Sequence, residues 1–131
     1  MITMGDLMRK TWTAAAMAGA IAAGALAAAQ PAAAASPHGC DWPRVCFYLY
    51  ASNWNANAPT AAYQDLGSWQ TLGSRSRSSE YVYNSRDDDG ARLRFEDGSE
   101  QCLKPNSYFH LQPVYQAGAV TQIKIMDSPS C

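Results

Sequence analysis

Histidine is scarce in this chain of 131 residues, which contains two, His38 and His110. Neither stands at metal-ligand spacing from a cysteine, and no C-x-x-C pair is present, so a zinc site is not expected. Nucleophilic catalysis needs a nucleophile beside a positioned base, and the sequence has no G-x-S-x-G, H-E-x-x-H or phosphate-binding loop. The sequence therefore predicts a protein that is not an enzyme and that carries no metal ion or cofactor.

Charge is also scarce and nearly balanced. Charged residues make up 16% of the chain, and the formal net charge is −1. Without residues 1–35, ten acidic and eight basic side chains remain, which gives a net charge of −2. A near-neutral domain does not attract nucleic acid or an anionic membrane surface, so neither is expected as a partner. The acidic run at residues 87–89 predicts a solvated turn, with a cation site as the alternative.

Residues 1–35 have the order of a secretory signal peptide. Two basic residues precede an apolar run over residues 11–29, and Ala32–Ala35 offers small side chains around a cleavage site. We expect cleavage after Ala35, with Ala29 as the second choice. The secreted, extracellular part is then a single small domain over residues 36–131.

A membrane anchor is the alternative interpretation of the same segment. The apolar run has the length of a membrane span, which needs about 17 to 25 residues. Alanine and glycine dominate it, however, and these contribute little to insertion; Pro31 also breaks the helix early. The composition favours a signal peptide, and we expect no membrane association after cleavage.

All four cysteines lie in the predicted domain, at Cys40, Cys46, Cys102 and Cys131. In an oxidising compartment, cysteines of a small domain are expected to form disulfides, each contributing roughly 2 to 4 kcal/mol. Four cysteines allow three pairings, and the sequence alone does not decide among them. We favour Cys40–Cys46, at the approach to the first strand, with Cys102–Cys131 tying the second half to the C-terminus.

Aromatic residues are concentrated in the same domain, and they suit a half-buried pleated surface. The alternation in Ala91–Phe95 places Ala, Leu and Phe on one face and two arginines on the other. Gln122–Met126 alternates in the same way, and Tyr81–Tyr83 and Val45–Tyr50 are further strand candidates. No stretch has a sustained helical period. The domain is predicted to be all-β.

Turn signals separate these strands, notably Asp89-Gly90 and Asp97-Gly98, which tolerate a positive φ. Two strand-rich halves, 44–85 and 91–128, end in similar segments. If the fourth strand of each half returns beside its first strand, the halves form two Greek keys packed as a sandwich. The sequence therefore predicts a small Greek-key β-sandwich with two disulfides.

Several segments, taken in order, carry a resemblance to a known family. They are the Arg-Val pair between Cys40 and Cys46, then Phe47–Tyr50, Ala91–Phe95, Cys102–Pro105 and Ile123–Asp127. Through them the domain resembles peptidase inhibitor family I36, small secreted actinobacterial proteins with a βγ-crystallin-like fold. The resemblance implies a monomeric inhibitor of an extracellular peptidase, in particular a metalloprotease, that acts through a rigid substrate-like loop.

The resemblance also implies a reactive bond, which would be Cys102–Leu103, with Leu103 entering the apolar pocket of the peptidase. Lys104 and Pro105 would stiffen the loop after this bond. The second cysteine that closes this loop in the family has no counterpart here, so a purely structural role for Leu103 is the alternative. The segments that match crystallin calcium sites, 74–79 and 117–122, lack carboxylates, so no calcium ion is expected.

An extracellular binding or structural module without inhibitory activity is the competing hypothesis. Trp42, Trp54 and Trp69 are the residues that would then contact a cell-wall polymer or a protein, because solvent-facing aromatic rings stack on sugars. Alternatively, these tryptophans pack in the core of the domain.

Overall fold

The structure, a computed structural model, describes residues 36–111 and 117–131. The predicted signal peptide, residues 1–35, lies outside the described residues. A short 3-10 turn, Pro37–Gly39, opens the described chain, and a single-turn helix, α1, spans Ala51–Asn55. The strands are β1 Val45–Tyr48, β2 Ala61–Tyr63, β3 Gln70–Thr71, β4 Tyr81–Asn84, β5 Ala91–Phe95, β6 Glu100–Leu103, β7 Ser107–His110 and β8 Val120–Ile125. The predicted all-β class is confirmed.

The strands form two antiparallel sheets. The first sheet has the order β2-β1-β4-β7, and the second has the order β3-β8-β5-β6. In each half of the chain the fourth strand pairs with the first, β4 with β1 and β8 with β5. The third strand of each half crosses to the other sheet, because β3 pairs with β8 and β7 pairs with β4. Neither half can therefore complete its sheet without the other.

Side-chain alternation places one core between the sheets. Ala91, Leu93 and Phe95 are buried in β5, while Arg92 and Arg94 remain half-exposed, as the period of two predicts. The core draws on both sheets; its members are Val45, Phe47, Leu72, Val82, Ala91, Leu93, Phe95, Leu103, Leu111, Val120, Ile123 and Ile125. Burial of these side chains is the main force that holds the two sheets together.

Strand ends depart from the sequence prediction at β1, β4 and β8; β4 runs one residue past the predicted Tyr83, and β8 ends one residue before the predicted Met126. β1 ends at Tyr48 rather than Tyr50, because the chain turns into α1, where the Tyr50 N–H donates to Asn53 Oδ1 at 3.2 Å. β8 begins at Val120, two residues before the predicted start, and a register shift at Arg94/Phe95 accommodates the added length. A helix of five residues is too short for a periodic signal, so the sequence did not indicate α1.

The two predicted glycine turns behave differently. Gly98 has a φ of 86° between β5 and β6, as expected for Asp97-Gly98, and its N–H donates to Phe95 O at 2.9 Å. Gly90 does not adopt a positive φ. Instead it lies close to the second disulfide, since a Cβ at this position would meet Cys131 Sγ at 3.1 Å. At Gly90, then, a side chain would crowd the second disulfide.

The disulfides join Cys40 to Cys46 and Cys102 to Cys131, which is the pairing favoured from the sequence. The first closes a sequence separation of 6 residues and the second a separation of 29. The longer loop removes more entropy from the unfolded chain, so the second disulfide is expected to stabilise the fold more. Within the part of the chain that the structure describes, no helix is long and apolar enough to cross a membrane.

Truncation of Leu103 tests the core. Its side chain is 0% exposed, so Leu103→Ala should lower the free energy of unfolding by about 2 to 5 kcal/mol through lost burial and a cavity. Urea denaturation followed by tryptophan fluorescence measures the change. Leu66→Ala is the matched control, because Leu66 is 44% exposed and its truncation should cost less than about 0.5 kcal/mol. Equal effects of the two substitutions would contradict the placement of Leu103 in the core.

Candidate binding surfaces

The bond between Cys102 and Leu103 does not lie on an exposed loop. Both residues belong to β6 and pair with β5, Leu103 opposite Ala91 and Cys102 opposite Arg92. The Leu103 side chain is completely buried in the core, so it cannot enter the pocket of a peptidase while the domain is folded. The prediction of an exposed reactive bond at this position is therefore corrected: Leu103 packs the core, and Cys102 anchors the strand.

The loop that follows β6 is exposed, and its backbone is hydrogen-bonded to residues of the loop after β4. Lys104, the third residue of the predicted reactive segment, is exposed. The amide of Asn84, which is completely buried, lies 3.3 Å from Leu103 O and 3.4 Å from Lys104 O. The Asn106 N–H donates to Arg86 O at 2.9 Å. These contacts hold both ends of the β6–β7 loop in one conformation.

A buried ion pair organises the neighbouring loop. Arg86 is 6% exposed and Asp89 is 4% exposed, with Nη2 and Nε of Arg86 at 2.6 and 2.9 Å from Asp89 Oδ2. Nη1 of Arg86 also donates to Pro43 O at 2.8 Å. The sequence predicted a solvated turn here; Asp87 and Asp88 are exposed as expected, but Asp89 is not. It is buried because it neutralises a buried guanidinium.

The loop before β1 is hydrogen-bonded to the segment that follows β4. Ser85 Oγ donates to Arg44 O at 2.6 Å, and the Ser85 N–H donates to the same carbonyl at 3.1 Å. The Cys40–Cys46 disulfide closes this loop across its base. Trp42, near its tip, is 59% exposed, and the Arg86 guanidinium carbon lies 5.8 Å from its ring centre.

Three loops thus meet at one end of the two sheets; we call residues 41–44, 84–90 and 103–106 the braced end. Both disulfides contact it, since Cys40 Sγ lies 3.5 Å from Arg44 O and Gly90 lies beside the Cys102–Cys131 bridge. Covalent and polar contacts fix the backbone, while Trp42 and Lys104 stay exposed. A preformed surface of this kind binds a partner without paying a large ordering cost.

A second surface covers the outer side of the first sheet. Its rings follow one another in near-parallel contact: His38 on Trp54 at 3.9 Å, Trp54 on Tyr81 at 4.7 Å, and Tyr81 on His110 at 4.3 Å between centroids. Tyr108 lies against Trp54 at 4.9 Å with its plane inclined by 39°. We call these five residues the aromatic face. Both histidines of the chain lie in it, packed among rings.

Buried tyrosines support the aromatic face from below. Tyr48 is completely buried, and its hydroxyl donates to His38 O at 2.6 Å, which ties the N-terminal turn to β1. Burial raises the pKa of Tyr48 well above its usual value, and the nearby Tyr83 raises it further. Burial lowers the pKa of His38, so this imidazole is neutral at neutral pH.

The three tryptophans singled out in the sequence lie in three different surroundings. Trp42 is exposed at the braced end, and Trp54 is half-buried within the aromatic face. Trp69 is half-buried on the second sheet, where the Arg94 guanidinium carbon lies 3.9 Å from its ring centre. The structure therefore does not bring them together as one surface. The tyrosines and histidines of the aromatic face were not predicted as a site, although alternation in β4 and β7 places Tyr81, Tyr108 and His110 on one side.

Among the described residues, no three His, Cys, Asp or Glu side chains are grouped so that they could hold a metal ion. The braced end offers an indole ring, an ammonium group, the guanidinium of Arg44 and three exposed carboxylates, those of Asp41, Asp87 and Asp88. These groups suit recognition of a partner by apolar and charged contacts.

Removal of the Asp89 carboxylate should destabilise the braced end, because the buried Arg86 would lose its close buried partner and keep only the exposed Asp88 carboxylate, whose Oδ1 lies 3.4 Å from Arg86 Nε. Asp89→Ala should lower the free energy of unfolding by about 3 to 5 kcal/mol, measured by urea denaturation. Asp87→Ala, at an exposed carboxylate in the same loop, is the control and should be nearly neutral. The double variant Arg86→Met, Asp89→Leu should recover most of the loss; an equally unstable double variant would show that the charge pair is not the cause.

Alkaline pH should weaken the fold through Tyr48. The pKa of Tyr48 is higher in the folded protein than the usual value of about 10, so the unfolded chain releases this proton first. The stabilisation is complete below about pH 10 and decreases above it. Tyr48→Phe should cost about 1 kcal/mol at neutral pH through the lost hydrogen bond, and its stability should fall less between about pH 9 and 11. An unchanged pH dependence would contradict this role.

Comparison with protein-family models, with curated proteins and with solved structures finds no match for this chain.

Proposed function

We propose that the chain is a secreted inhibitor of an extracellular peptidase and that it binds the enzyme with the braced end. The observation that carries this proposal is the convergence of both disulfides and the Arg86–Asp89 pair on the loops that display Trp42 and Lys104. A domain that acts by occlusion needs a surface that does not adapt to the enzyme, because an adaptable loop would be cut and released.

The strand order supports the family resemblance on which the inhibitor hypothesis rests. The return of β4 beside β1 and of β8 beside β5 is the arrangement expected for two Greek keys, and the exchange of β3 and β7 joins them in one sandwich. We therefore infer a βγ-crystallin-like fold for residues 36–131. The two disulfides are consistent with an extracellular protein, and the signal-peptide pattern supports export.

Because Leu103 is buried, we place the inhibitory contact at the next residues of the same loop instead. Lys104 is the first exposed side chain after β6, and Pro105 follows it. If a peptidase cut this loop, Leu103 and Asn106 would hold the two ends in place through the core and through Arg86 O. The products would not separate, so the enzyme would stay occupied. Trp42 supplies the large apolar contact that commonly dominates a protein interface.

The partner is then an extracellular peptidase, and the resemblance favours a metalloprotease. The domain would act as a monomer, because each copy carries a complete braced end. Nucleic acid is not a suitable partner for a domain with a net charge of −2.

A peptidase panel tests this function. The protein purified from culture medium should inhibit a thermolysin-like metalloprotease or another enzyme of a metallo- and serine-peptidase panel at micromolar concentration. Trp42→Ala and Lys104→Ala should each raise the inhibition constant about tenfold, a loss of about 1.4 kcal/mol. Tyr50→Ala and Arg77→Ala, at an exposed aromatic and an exposed basic residue away from these loops, are the matched controls.

Inhibition that is unaffected by the two braced-end substitutions would refute the role of this surface. Absence of inhibition across the panel would refute the inhibitor function and favour the competing hypothesis of a binding module. The N-terminal residue of the purified protein, expected to be Ser36, checks export and cleavage in the same preparation.

A further inference from the structure

Strand register places a fourth loop beside the three loops of the braced end. Tyr63, the last residue of β2, lies opposite Val45, and Val45 lies opposite Asn84. Asn84 in turn lies opposite Ser107. The loops of the braced end adjoin these positions on β1, β4 and β7. The loop between β2 and β3 starts directly after Tyr63, so it leaves the first sheet at the same end.

This fourth loop carries an exposed apolar side chain. Residues 64–68 are all exposed, and Leu66 is 44% exposed. Arg44 Nε donates to Gln64 Oε1 at 3.5 Å, which connects the loop to the one that presents Trp42. Four large apolar side chains are exposed in the part of the chain that the structure describes. Trp42 and Leu66 are the two that belong to loops at this end of the sheets.

The backbone on both sides of Leu66 is held by the domain. Leu66 forms a parallel bridge with Ile125, and the Gly67 N–H donates to Ile125 O at 2.8 Å. Ile125 is 0% exposed, so the loop is attached to a core residue of the second sheet. On the other side, Gln70 Nε2 donates to Asp65 O at 3.0 Å. The loop is therefore preformed, while the Leu66 side chain stays exposed.

This arrangement suits insertion into a pocket of a peptidase. A leucine on a fixed backbone fills an apolar pocket at little ordering cost. Each peptide bond that flanks Leu66 has one group already engaged within the domain, Asp65 O in the first bond and the Gly67 N–H in the second. An enzyme that cuts the first bond must polarise that carbonyl, in competition with Gln70. A cut at the second bond would leave Gly67 attached to β8.

We propose that loop 64–68 is part of the peptidase-binding surface and that Leu66 determines its specificity by entering an apolar primary pocket of the enzyme. The assignment rests on the proposed inhibitor function and names the partner more closely, as a peptidase that selects large aliphatic side chains. Trp42 and Lys104 then contact the enzyme beside this pocket. Leu66 thus takes the role that the sequence assigned to Leu103, which the core makes inaccessible.

Inhibition constants of the whole secreted protein test this assignment. The panel contains a thermolysin-like metalloprotease and a chymotrypsin-like serine peptidase, whose pockets are apolar, and a trypsin-like peptidase, whose pocket is acidic. The wild-type protein should inhibit at least one of the first two enzymes. Leu66→Ala should raise that inhibition constant about thirtyfold, whereas Leu66→Met, which keeps the apolar volume, should retain most of the inhibition. Tyr50→Ala, at an exposed apolar residue outside these loops, should inhibit as the wild type does.

Leu66→Lys separates a residue that determines specificity from one that only contributes contact area. This variant should lose inhibition of the enzyme with the apolar pocket and gain inhibition of the trypsin-like enzyme, because an acidic pocket selects a lysine side chain. Urea denaturation should give all Leu66 variants nearly the free energy of unfolding of the wild type, since the side chain is exposed. Changes in inhibition then report on binding rather than on folding.

The role of Leu66 would be overturned if Leu66→Ala left the inhibition constant unchanged while Trp42→Ala and Lys104→Ala raised it. That result would leave the proposed function intact. Wild-type inhibition of the trypsin-like enzyme alone, or a Leu66→Lys variant that does not gain inhibition of it, would also refute the assignment. Absence of wild-type inhibition of all three enzymes and of the wider panel would refute the inhibitor function, and the role of Leu66 with it.

Discussion

Phe47 and Val82 from the first half of the chain meet Leu93 and Ile123 from the second half in a single core. Both halves are needed because each sends its third strand to the sheet of the other. Contacts distant in sequence must therefore form together, which makes folding cooperative and comparatively slow. Every surface of the domain depends on this shared core, because the loops and the outer faces are attached to strands that it holds in place.

Stabilising features beyond the core are concentrated at the braced end. A buried ion pair such as Arg86–Asp89 is weak evidence for stability, since desolvation offsets much of its attraction. Its geometric effect is clearer: one guanidinium connects a carboxylate of its own loop to Pro43 O in the loop that presents Trp42. Polar contacts with fixed geometry specify a loop conformation better than apolar packing does. These contacts therefore fix the loops that carry Trp42 and Lys104.

The two surfaces are built by different contacts. The braced end offers a projecting indole and a charge on fixed loops, which suits a protein partner with a concave site. The aromatic face consists of rings that pack mainly on one another, and Tyr108 is its exposed member. Because β1 and β4 carry core residues on one side and the aromatic face on the other, the same strands support both the fold and the second surface.

Local pattern was sufficient for some elements. The alternation of Ala91–Phe95 predicted β5 to the residue, since a period of two admits one inward face. The turn at Asp97-Gly98 was predicted for a similar reason: glycine readily adopts the positive φ that the turn needs. The candidate site could not be predicted from local pattern in the same way. Asp89 is one of three consecutive aspartates, and nothing in the local sequence distinguishes it from the other two. It is buried because the folded loop 84–90 brings its carboxylate against the buried Arg86 guanidinium.

The sequence by itself determined the all-β class, the strands with clear alternation and the presence of cysteines able to pair, because these depend on local side-chain chemistry. The tertiary structure decided that Leu103 faces the core while Lys104 remains outside, because this depends on the register of β6 against β5. It also decided that His38, Trp54, Tyr81, Tyr108 and His110 share one face. These residues come from four separate segments, and only the pairing of strands brings them within contact distance.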